Sequence, residues 1–335
     1  MMLKKYFSPI LLIILVLSII LGTDIACSDI NIKDFGSWRF YEHPSSLKFA
    51  QLSDIHLDIK SKTKNHRMLG SSVGLFKDAV NQINHINNID FVIFSGDLIN
   101  RPRQEDLTEF IKIANNLNYP WYFAFGNHDI GIFSTFNKAK YLKIVEKSNK
   151  NITTDRTYYS FSPKKGYLVI VLDPVIDSRI TANGYIDRQQ LNWLEQELER
   201  NSTSKVIIVE HHPIIEPFES KTHKILNSDE YLKILNNHNN VIAVLSGHYH
   251  AAKIKQIGNI VFVSTPALVE YPNGFRIITV NSSATKITFK FEFKETGLKD
   301  IQQLSKNMSS SSSLAAGNEK DRNTTIVINN FLKND

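Results

Sequence analysis

Residues 47–56 read LKFAQLSDIH, an apolar run that stops at Leu52 and is followed at once by Asp54 and His56. A short run of this kind, bounded by polar residues, is typical of a buried β-strand. Asp54 and His56 are two positions apart, so on an extended backbone their side chains face the same side. The stretch therefore predicts a strand that ends in two side chains able to bind a metal ion.

Four further segments repeat this arrangement. They read FVIFSGD at 91–97, WYFAFGNHD at 121–129, VIIVEHHP at 206–213 and VIAVLSGHYH at 241–250. Open α/β sheets bind ligands just beyond the carboxyl ends of their strands, which is where each set of polar residues begins. His248 and His250 are again two positions apart, so an extended backbone turns both to one side and Tyr249 to the other. The five segments are therefore expected to converge on one site.

The polar residues of the five segments are mainly aspartates and histidines, with one asparagine. Such a mixed oxygen and nitrogen ligand set suits borderline divalent metals. Two such ions that share a carboxylate are suited to phosphate-ester hydrolysis. Gly96, Gly126 and Gly247 stand where the chain has to bend sharply beside a ligand, and this favours glycine.

At these residues the chain resembles the calcineurin-like metallophosphoesterase superfamily, and the resemblance covers about residues 47–293. The family pattern is D-x-H, G-D, G-N-H-[DE], H-x-P and G-H-x-H, and each part is present here. The resemblance implies an α/β fold in which two mixed β-sheets pack as a sandwich flanked by helices. It also implies a cofactor of two divalent metal ions, of Mn, Fe, Zn or Co.

The resemblance assigns a role to each site residue. The ligands that it implies are Asp54, His56 and His250 for one metal, Asn127, His211 and His248 for the other, and Asp97 as the bridge between them. His128 matches the catalytic histidine, a proton donor or charge stabiliser near the leaving group, and Asp129 matches the acidic residue that orients it. His211 is chosen over His212 because it stands two positions before Pro213. His212 then contacts either the ligands or the substrate.

Two departures from related branches narrow the expectation. The purple acid phosphatase branch has a tyrosine ligand three positions after the bridging aspartate, where this chain has Asn100. No tyrosinate–iron chromophore is therefore implied. The nuclease branch carries a DNA-capping domain after the catalytic core, whereas mostly polar residues follow Phe293 here. This argues against a DNA-repair role.

The function implied is metal-dependent hydrolysis of small phosphate esters, as a phosphodiesterase of the cyclic nucleotide or glycerophosphodiester type. The alternatives are a broad phosphomonoesterase or nucleotidase and, from another class, a non-catalytic scaffold on the same fold. Residues 151–161 and 175–185 are candidate loops over the site. Arg101 and Arg103 follow the Gly-Asp loop, as phosphate contacts or as solvated loop charges.

Length and composition agree with one large α/β domain. The chain has 335 residues, 42% of them hydrophobic, and its formal net charge is +6. We place the metallophosphoesterase domain at residues 46–295. The lysines form no dense cluster of the nucleic-acid-binding type, so no nucleic-acid duplex is expected as a partner.

The two ends are predicted to lie outside this domain. Lys4 and Lys5 precede an apolar stretch at 10–21, so residues 1–28 are typical of a signal peptide or N-terminal anchor. We therefore expect an exported protein whose contact with membrane, if any, is made by this segment. Residues 296–335 are polar and serine-rich and are predicted to form a disordered tail. A short docked segment is an alternative at 325–332.

Overall fold

Each apolar run of the five segments forms a β-strand in the computed structural model, which describes residues 45–131 and 136–330. In the described residues the strands are β1 (Ser45–Leu52), β2 (Phe91–Ser95), β3 (Trp121–Ala124), β4 (Tyr159–Lys164), β5 (Tyr167–Val171), β6 (Lys205–Val209), β7 (Val241–Ser246), β8 (Lys253–Ile257), β9 (Ile260–Ser264), β10 (Gly274–Ser282), β11 (Lys286–Glu295) and β12 (Thr324–Asn329). The helices are α1 (Ser72–Asn84), α2 (Gln104–Ala114), α3 (Lys138–Ser148), α4 (Arg188–Arg200), α5 (Ser228–Asn237), α6 (Lys299–Met308), α7 (Ser312–Ala316) and α8 (Glu319–Arg322), with a 3-10 turn at Leu69–Ser71.

The strands form two six-stranded mixed sheets. The first has the order β12-β11-β10-β1-β2-β3, in which β1, β2 and β3 are parallel and the other pairings are antiparallel. The second has the order β4-β5-β6-β7-β9-β8, with β5, β6, β7 and β9 parallel and antiparallel strands at both edges. Parallel strands bring their carboxyl ends to one edge, which prepares a site there.

The alternation of side chains along each strand explains the layers. Phe49 and Phe91 stack with ring centroids 4.7 Å apart and share one buried cluster with Ile207 of the second sheet. Phe94 belongs to the opposite face of its sheet and packs on Phe76 of α1. The second sheet packs its outer face on α4 and α5 in the same way. The predicted sandwich of two mixed sheets flanked by helices is confirmed.

The predicted disordered tail at 296–335 is wrong for residues 299–329. Helix α6 buries Gln302 and Ser305, and β12 pairs antiparallel with β11 and places Ile328 in the core. The domain therefore continues past the predicted boundary at 295. The docked segment predicted at 325–332 is confirmed as far as Asn329, and residues 331–335 lie outside the described residues.

The predicted signal peptide or anchor at 1–28 also lies outside the described residues. Within residues 45–131 and 136–330, no helix has the length and hydropathy that crossing a membrane requires.

Candidate metal centre

Five of the seven predicted ligands leave their strands in a left-handed backbone conformation. The φ angles are 50° at Asp54, 43° at His56, 52° at Asp97, 68° at His248 and 51° at His250. Our expectation of an extended backbone at the D-x-H pair, Asp54 and His56, and at the H-x-H pair, His248 and His250, is therefore wrong. Positive φ is uncommon for residues other than glycine and costs free energy, so it persists only where the surroundings impose it.

Hydrogen bonds between the loops impose this conformation. The Asp54 amide donates to the carbonyl oxygen of Gly96 at 3.1 Å, and the His56 amide donates to that of Asp97 at 2.9 Å. The His248 amide donates to Oδ2 of Asp54 at 3.0 Å. The fully buried Gln51 joins the two sheets, since its Nε2 donates to the carbonyl oxygen of Ser246 at 3.1 Å. The ends of strands from both sheets are thus fixed against one another.

The loops approach so closely that all three of the predicted glycines are sterically required. Gly96 has a φ of 92°, and a Cβ there would lie 2.4 Å from Nδ1 of His211. Gly247 leaves no room either, because its Cβ would lie 1.8 Å from Oγ of Ser53 and 2.5 Å from Oδ2 of Asp54. The glycines of the motifs therefore serve the packing of ligands as well as the turns.

One group of ligands surrounds a point beside β1. Asp54, His56, Asp97 and His250 are all buried, and each offers one ligand atom within 4.8 Å of the others. Nε2 of His250 lies 3.2 Å from Oδ1 of Asp54 and 3.2 Å from Nε2 of His56. Metal bonds of about 2.1 Å at tetrahedral angles place neighbouring ligand atoms about 3.4 Å apart. These residues therefore fit a bound ion, which we term the first metal site.

A second group lies on the other side of Asp97. Oδ2 of Asp97 lies 3.5 Å from Nε2 of His56 and 3.4 Å from Nε2 of His211. Nδ1 of His248 lies 3.1 Å from the same His211 nitrogen. Oδ1 of Asn127 is buried and has no hydrogen-bond partner among the described residues. We term Asp97, His211, His248 and Asn127 the candidate second metal site, in which Asp97 would be the predicted bridge to the first.

The tautomers of the second site fit a cation. Nδ1 of His211 donates to the carbonyl oxygen of Ser95 at 2.9 Å, so its Nε2 carries the lone pair in the neutral ring. Nε2 of His248 donates to the carbonyl oxygen of Ala182 at 2.8 Å, which leaves the lone pair on Nδ1. Two lone pairs then face each other across 3.1 Å, which is favourable only with a cation or a proton between them.

The first site has an acidic support that the sequence analysis missed. Nδ1 of His250 donates to Oε1 of Glu270 at 2.7 Å, and Nε of Arg67 donates to the same oxygen at 2.8 Å. A carboxylate behind a metal-binding histidine fixes its tautomer and orientation. Neither Arg67 nor Glu270 belongs to a motif, and 203 positions separate them. The sequence therefore contained no local signal for this pair.

His128 is held beside the first site by a different residue than expected. Its Nδ1 donates to the carbonyl oxygen of Asn100 at 2.9 Å, and its ring stands edge-on to that of His56 with centroids 4.6 Å apart. Asp129 instead accepts from the amides of Gly126 at 2.8 Å and Ile99 at 3.1 Å. Among the described contacts, Asp129 therefore supports the loops and not the His128 ring. Asp129 was expected to orient the His128 ring, and the described hydrogen bonds assign that contact to Asn100 instead.

The structure also places the other candidate residues, which are His212, Arg103 and Arg101. His212 is fully buried and packs on His248 with ring centroids 4.1 Å apart, so it contacts the ligands and does not face a substrate. Arg103 pairs with Asp58 and Asp106, so it is neither a phosphate contact nor a solvated charge. Arg101 is exposed.

One of the two candidate loops reaches the site. Residues 175–185 supply Ala182, whose carbonyl oxygen accepts a hydrogen bond from His248. Gly184 pairs with a second loop, since its amide donates to the carbonyl oxygen of Lys224 at 3.0 Å. His223 of that second loop packs on His248 with ring centroids 5.1 Å apart, although it lies outside every motif. The described contacts of residues 151–161 involve β2, β3, β5 and the helices and not the ligands.

Charge and burial set the protonation of the metal-free ligands. Burial opposes protonation of His250, but the carboxylates of Glu270 and Asp54 raise its pKa to about 10. Asp97 likewise outweighs burial at His211 and raises the pKa of that ring to about 9. Burial lowers the pKa of His56 and of His248 well below the ordinary value. Protons on His211 and His250 thus stand in for positive charge that two metals would bring.

The motifs, the strand ends and the ligand cluster point to one family. A family model described as calcineurin-like phosphoesterase matches residues 47–252, more than half of the 335-residue chain. The chain belongs to this family. It is therefore a metal-dependent hydrolase of phosphoric esters, and its cofactor is a pair of divalent metal ions. The ligand cluster described above agrees with this assignment.

Individual proteins show the same relationship. The chain is 28% identical over 217 residues to an Arcobacter nitrofigilis protein named "Probable glycerophosphodiester phosphodiesterase", across 60% of this chain and 71% of that one. It is 25% identical over 213 residues to a Colwellia psychrerythraea "Probable cyclic nucleotide phosphodiesterase", across 61% and 71%. A dimetal phosphatase from Danio rerio superposes with a TM-score of 0.56 and 17% identity, over 74% of this chain and 96% of that one, and shares the fold.

Proposed function

We propose that this hydrolase cleaves small phosphodiesters of the cyclic nucleotide or glycerophosphodiester type. The observation that carries the proposal is the position of His128 beside the buried cluster of Asp54, His56, Asp97 and His250. Nδ1 of His128 donates to the carbonyl oxygen of Asn100, so its Nε2 is available to exchange a proton. Two relatives are named for cyclic nucleotide and glycerophosphodiester substrates, which supports this choice over a phosphomonoesterase or nucleotidase.

The chemistry divides between the cofactor and the chain. When bound, two divalent cations supply charge for the phosphoryl oxygens and lower the pKa of water. The chain holds their ligands, with Asp97 shared between the two sites. His128 stands beside the first site and is placed to donate a proton from Nε2 to a departing alkoxide. His212 and the buried loops keep the ligand rings in position.

Apolar side chains near the site support a diester. Ile180, Tyr185 and Leu226 are exposed on the paired loops that carry Ala182 and His223. A monoester has one organic group, whereas a diester has two, and the second needs a surface to contact. The exposed apolar side chains offer such a surface.

A substrate panel tests the proposal. Metal-reconstituted protein would be assayed with bis-p-nitrophenyl phosphate, a cyclic nucleotide, a glycerophosphodiester and p-nitrophenyl phosphate. We expect metal-dependent turnover, with kcat/KM for a natural diester above that for the monoester. A clear preference for the monoester would overturn the diester proposal and favour a phosphomonoesterase. Turnover that survives complete removal of metal would overturn the dinuclear mechanism.

We also infer that the protein is exported and that residues 1–28 direct its export as a signal peptide or N-terminal anchor. The support is the sequence pattern of two lysines followed by an apolar stretch. Fractionation of cells that express the full chain, with mass spectrometry of the N-terminus, tests this. A cleaved or membrane-bound product outside the cytoplasm is expected. An intact chain found only in the cytoplasm would contradict the inference.

A further inference from the structure

A buried serine of helix α6 bridges two distant segments of the chain. Ser305 lies on α6 and is completely buried. Its hydroxyl donates to the carbonyl oxygen of His66 at 2.7 Å and accepts from the amide of Tyr271 at 2.9 Å. The hydroxyl therefore acts as both donor and acceptor, and its two backbone partners at 66 and 271 are 205 positions apart in the chain.

The bridged residues are the immediate neighbours of the pair that supports the first metal site. His66 precedes Arg67, and Tyr271 follows Glu270. Arg67 donates to Oε1 of Glu270 at 2.8 Å, and the same oxygen accepts from Nδ1 of His250 at 2.7 Å. A continuous series of hydrogen bonds and short backbone steps thus joins Ser305 to a metal ligand.

Two further contacts hold the same segments together. Gln302, one turn before Ser305 on α6, donates from Nε2 to the carbonyl oxygen of Pro272 at 2.7 Å. The amide of Met68 donates to the carbonyl oxygen of Val269 at 2.8 Å. Helix α6 therefore docks through polar side chains aimed at the backbone on both sides of the Arg67–Glu270 pair.

We propose that Ser305 is a positioning residue that holds the Arg67–Glu270 pair against His250 and thereby sets the affinity of the first metal site. The proposal concerns the metal centre and not the choice of substrate, so direct metal binding tests it even if the diester proposal fails. Residues behind a metal ligand commonly change metal affinity by about tenfold to a hundredfold when mutated. Ser305 acts one step further out, so we expect an effect near the lower end.

The structure also predicts that the effect is confined to one metal. The imidazoles of the second site are held by the carbonyl oxygens of Ser95 and Ala182. The described hydrogen bonds of α6 to distant segments are made with His66, Tyr271 and Pro272, and none is made with either of those carbonyl groups. Loss of the Ser305 hydroxyl should therefore weaken one binding step and leave the other unchanged.

The experiment is a calorimetric titration of demetallated full-length protein with Mn²⁺ alone. We expect Ser305→Ala to weaken one of two binding steps by about tenfold. Ser160→Ala is the matched control. Ser160 lies on the edge strand β4, and the change removes the hydrogen bond from its hydroxyl to Glu197 of α4. It should leave both steps unchanged. Ser305→Thr, which keeps a hydroxyl, should restore binding.

A double-mutant cycle distinguishes positioning from general destabilisation. Glu270→Gln removes the carboxylate through which Ser305 is proposed to act, so Ser305→Ala should have little further effect on Mn²⁺ binding in that background. An equal loss in both backgrounds would overturn the proposal. So would wild-type binding by Ser305→Ala, or equal weakening of both metals.

Discussion

Gly126 packs so closely on the bridging aspartate that a single methyl group should dismantle the metal centre. A Cβ at position 126 would lie 2.1 Å from the amide nitrogen of Asp97 and 2.2 Å from its Oδ1. Ordinary contact begins at 3.4 Å, so one of the two residues has to move by about 1.3 Å, the difference between 3.4 and 2.1 Å. The closest atoms belong to backbone and to the bridging carboxylate, so no flexible side-chain end can give way.

That displacement is large for a bridging ligand. Oδ2 of Asp97 lies 3.5 Å from Nε2 of His56 and 3.4 Å from Nε2 of His211, and it has to serve both metals. A shift of about 1 Å in a catalytic group can cost about a hundredfold in rate. We therefore expect Gly126→Ala to lose at least about a hundredfold in kcat/KM and to bind less than two metals per chain.

The assay is diester hydrolysis together with elemental analysis of the purified variant. Gly74→Ala is the matched control, because Gly74 is exposed on α1 and its nearest atom to a new Cβ is a leucine methyl at 3.6 Å. Alanine should stabilise that helix by about 0.5–1 kcal/mol and leave catalysis unchanged. Two bound metals and a wild-type rate in Gly126→Ala would refute the steric argument.

Further predictions address the bridge, the proton donor, pH and the C-terminal segment. Asp97→Asn keeps the shape of the bridge but removes its charge, so elemental analysis should show loss of at least one metal and kinetics a near-total loss of turnover. His128→Ala should keep both metals and lose about a hundredfold to ten-thousandfold in rate, more on an alkyl diester than on a nitrophenyl diester; equal losses on both would contradict proton donation. The pKa values of about 10 for His250 and about 9 for His211 lie above the ordinary 6.5. The stabilisation that protonated His211 and His250 give the metal-free fold should therefore be lost as pH rises from about 6.5 toward those values. Mn²⁺ affinity should rise over the same range, because protons cease to compete for the ligands. Measurement of Tm against pH, with and without Mn²⁺, checks both expectations. Truncation after Glu295 removes α6, α7, α8 and β12 and should lower the Tm by roughly 5 °C or more, measured by thermal unfolding against the full chain.

The parts of the site that the sequence predicted are those whose signals are local. Each ligand follows an apolar run within a few residues, so the strand and the ligand were predicted together. Asp54 and His250 lie 3.2 Å apart as their motifs implied. The prediction of an extended backbone was wrong because the hydrogen bonds that impose positive φ, such as the one from His248 to Asp54, join different loops. No pattern within one segment reports such a bond.

The groups that hold the ligand rings could not be predicted for a related reason. Ala182, Ser95 and Asn100 act through carbonyl oxygens, which every residue possesses, so the identity of the side chain carries no information. Glu270 acts through its side chain, but its partner Arg67 is 203 positions away. Only the folded arrangement brings these groups to the site.

The prediction of a disordered tail at 296–335 was wrong because composition does not report contacts with distant parts of the chain. Low hydrophobicity predicts disorder because a polar segment buries too little apolar surface to offset the entropy of ordering. Helix α6 is ordered because Ile301 and Leu304 pack against the core. It also buries Gln302 and Ser305, whose side chains bond the backbone at 272, 66 and 271. The segment that composition described as a tail is therefore the one that holds the support of His250 in place.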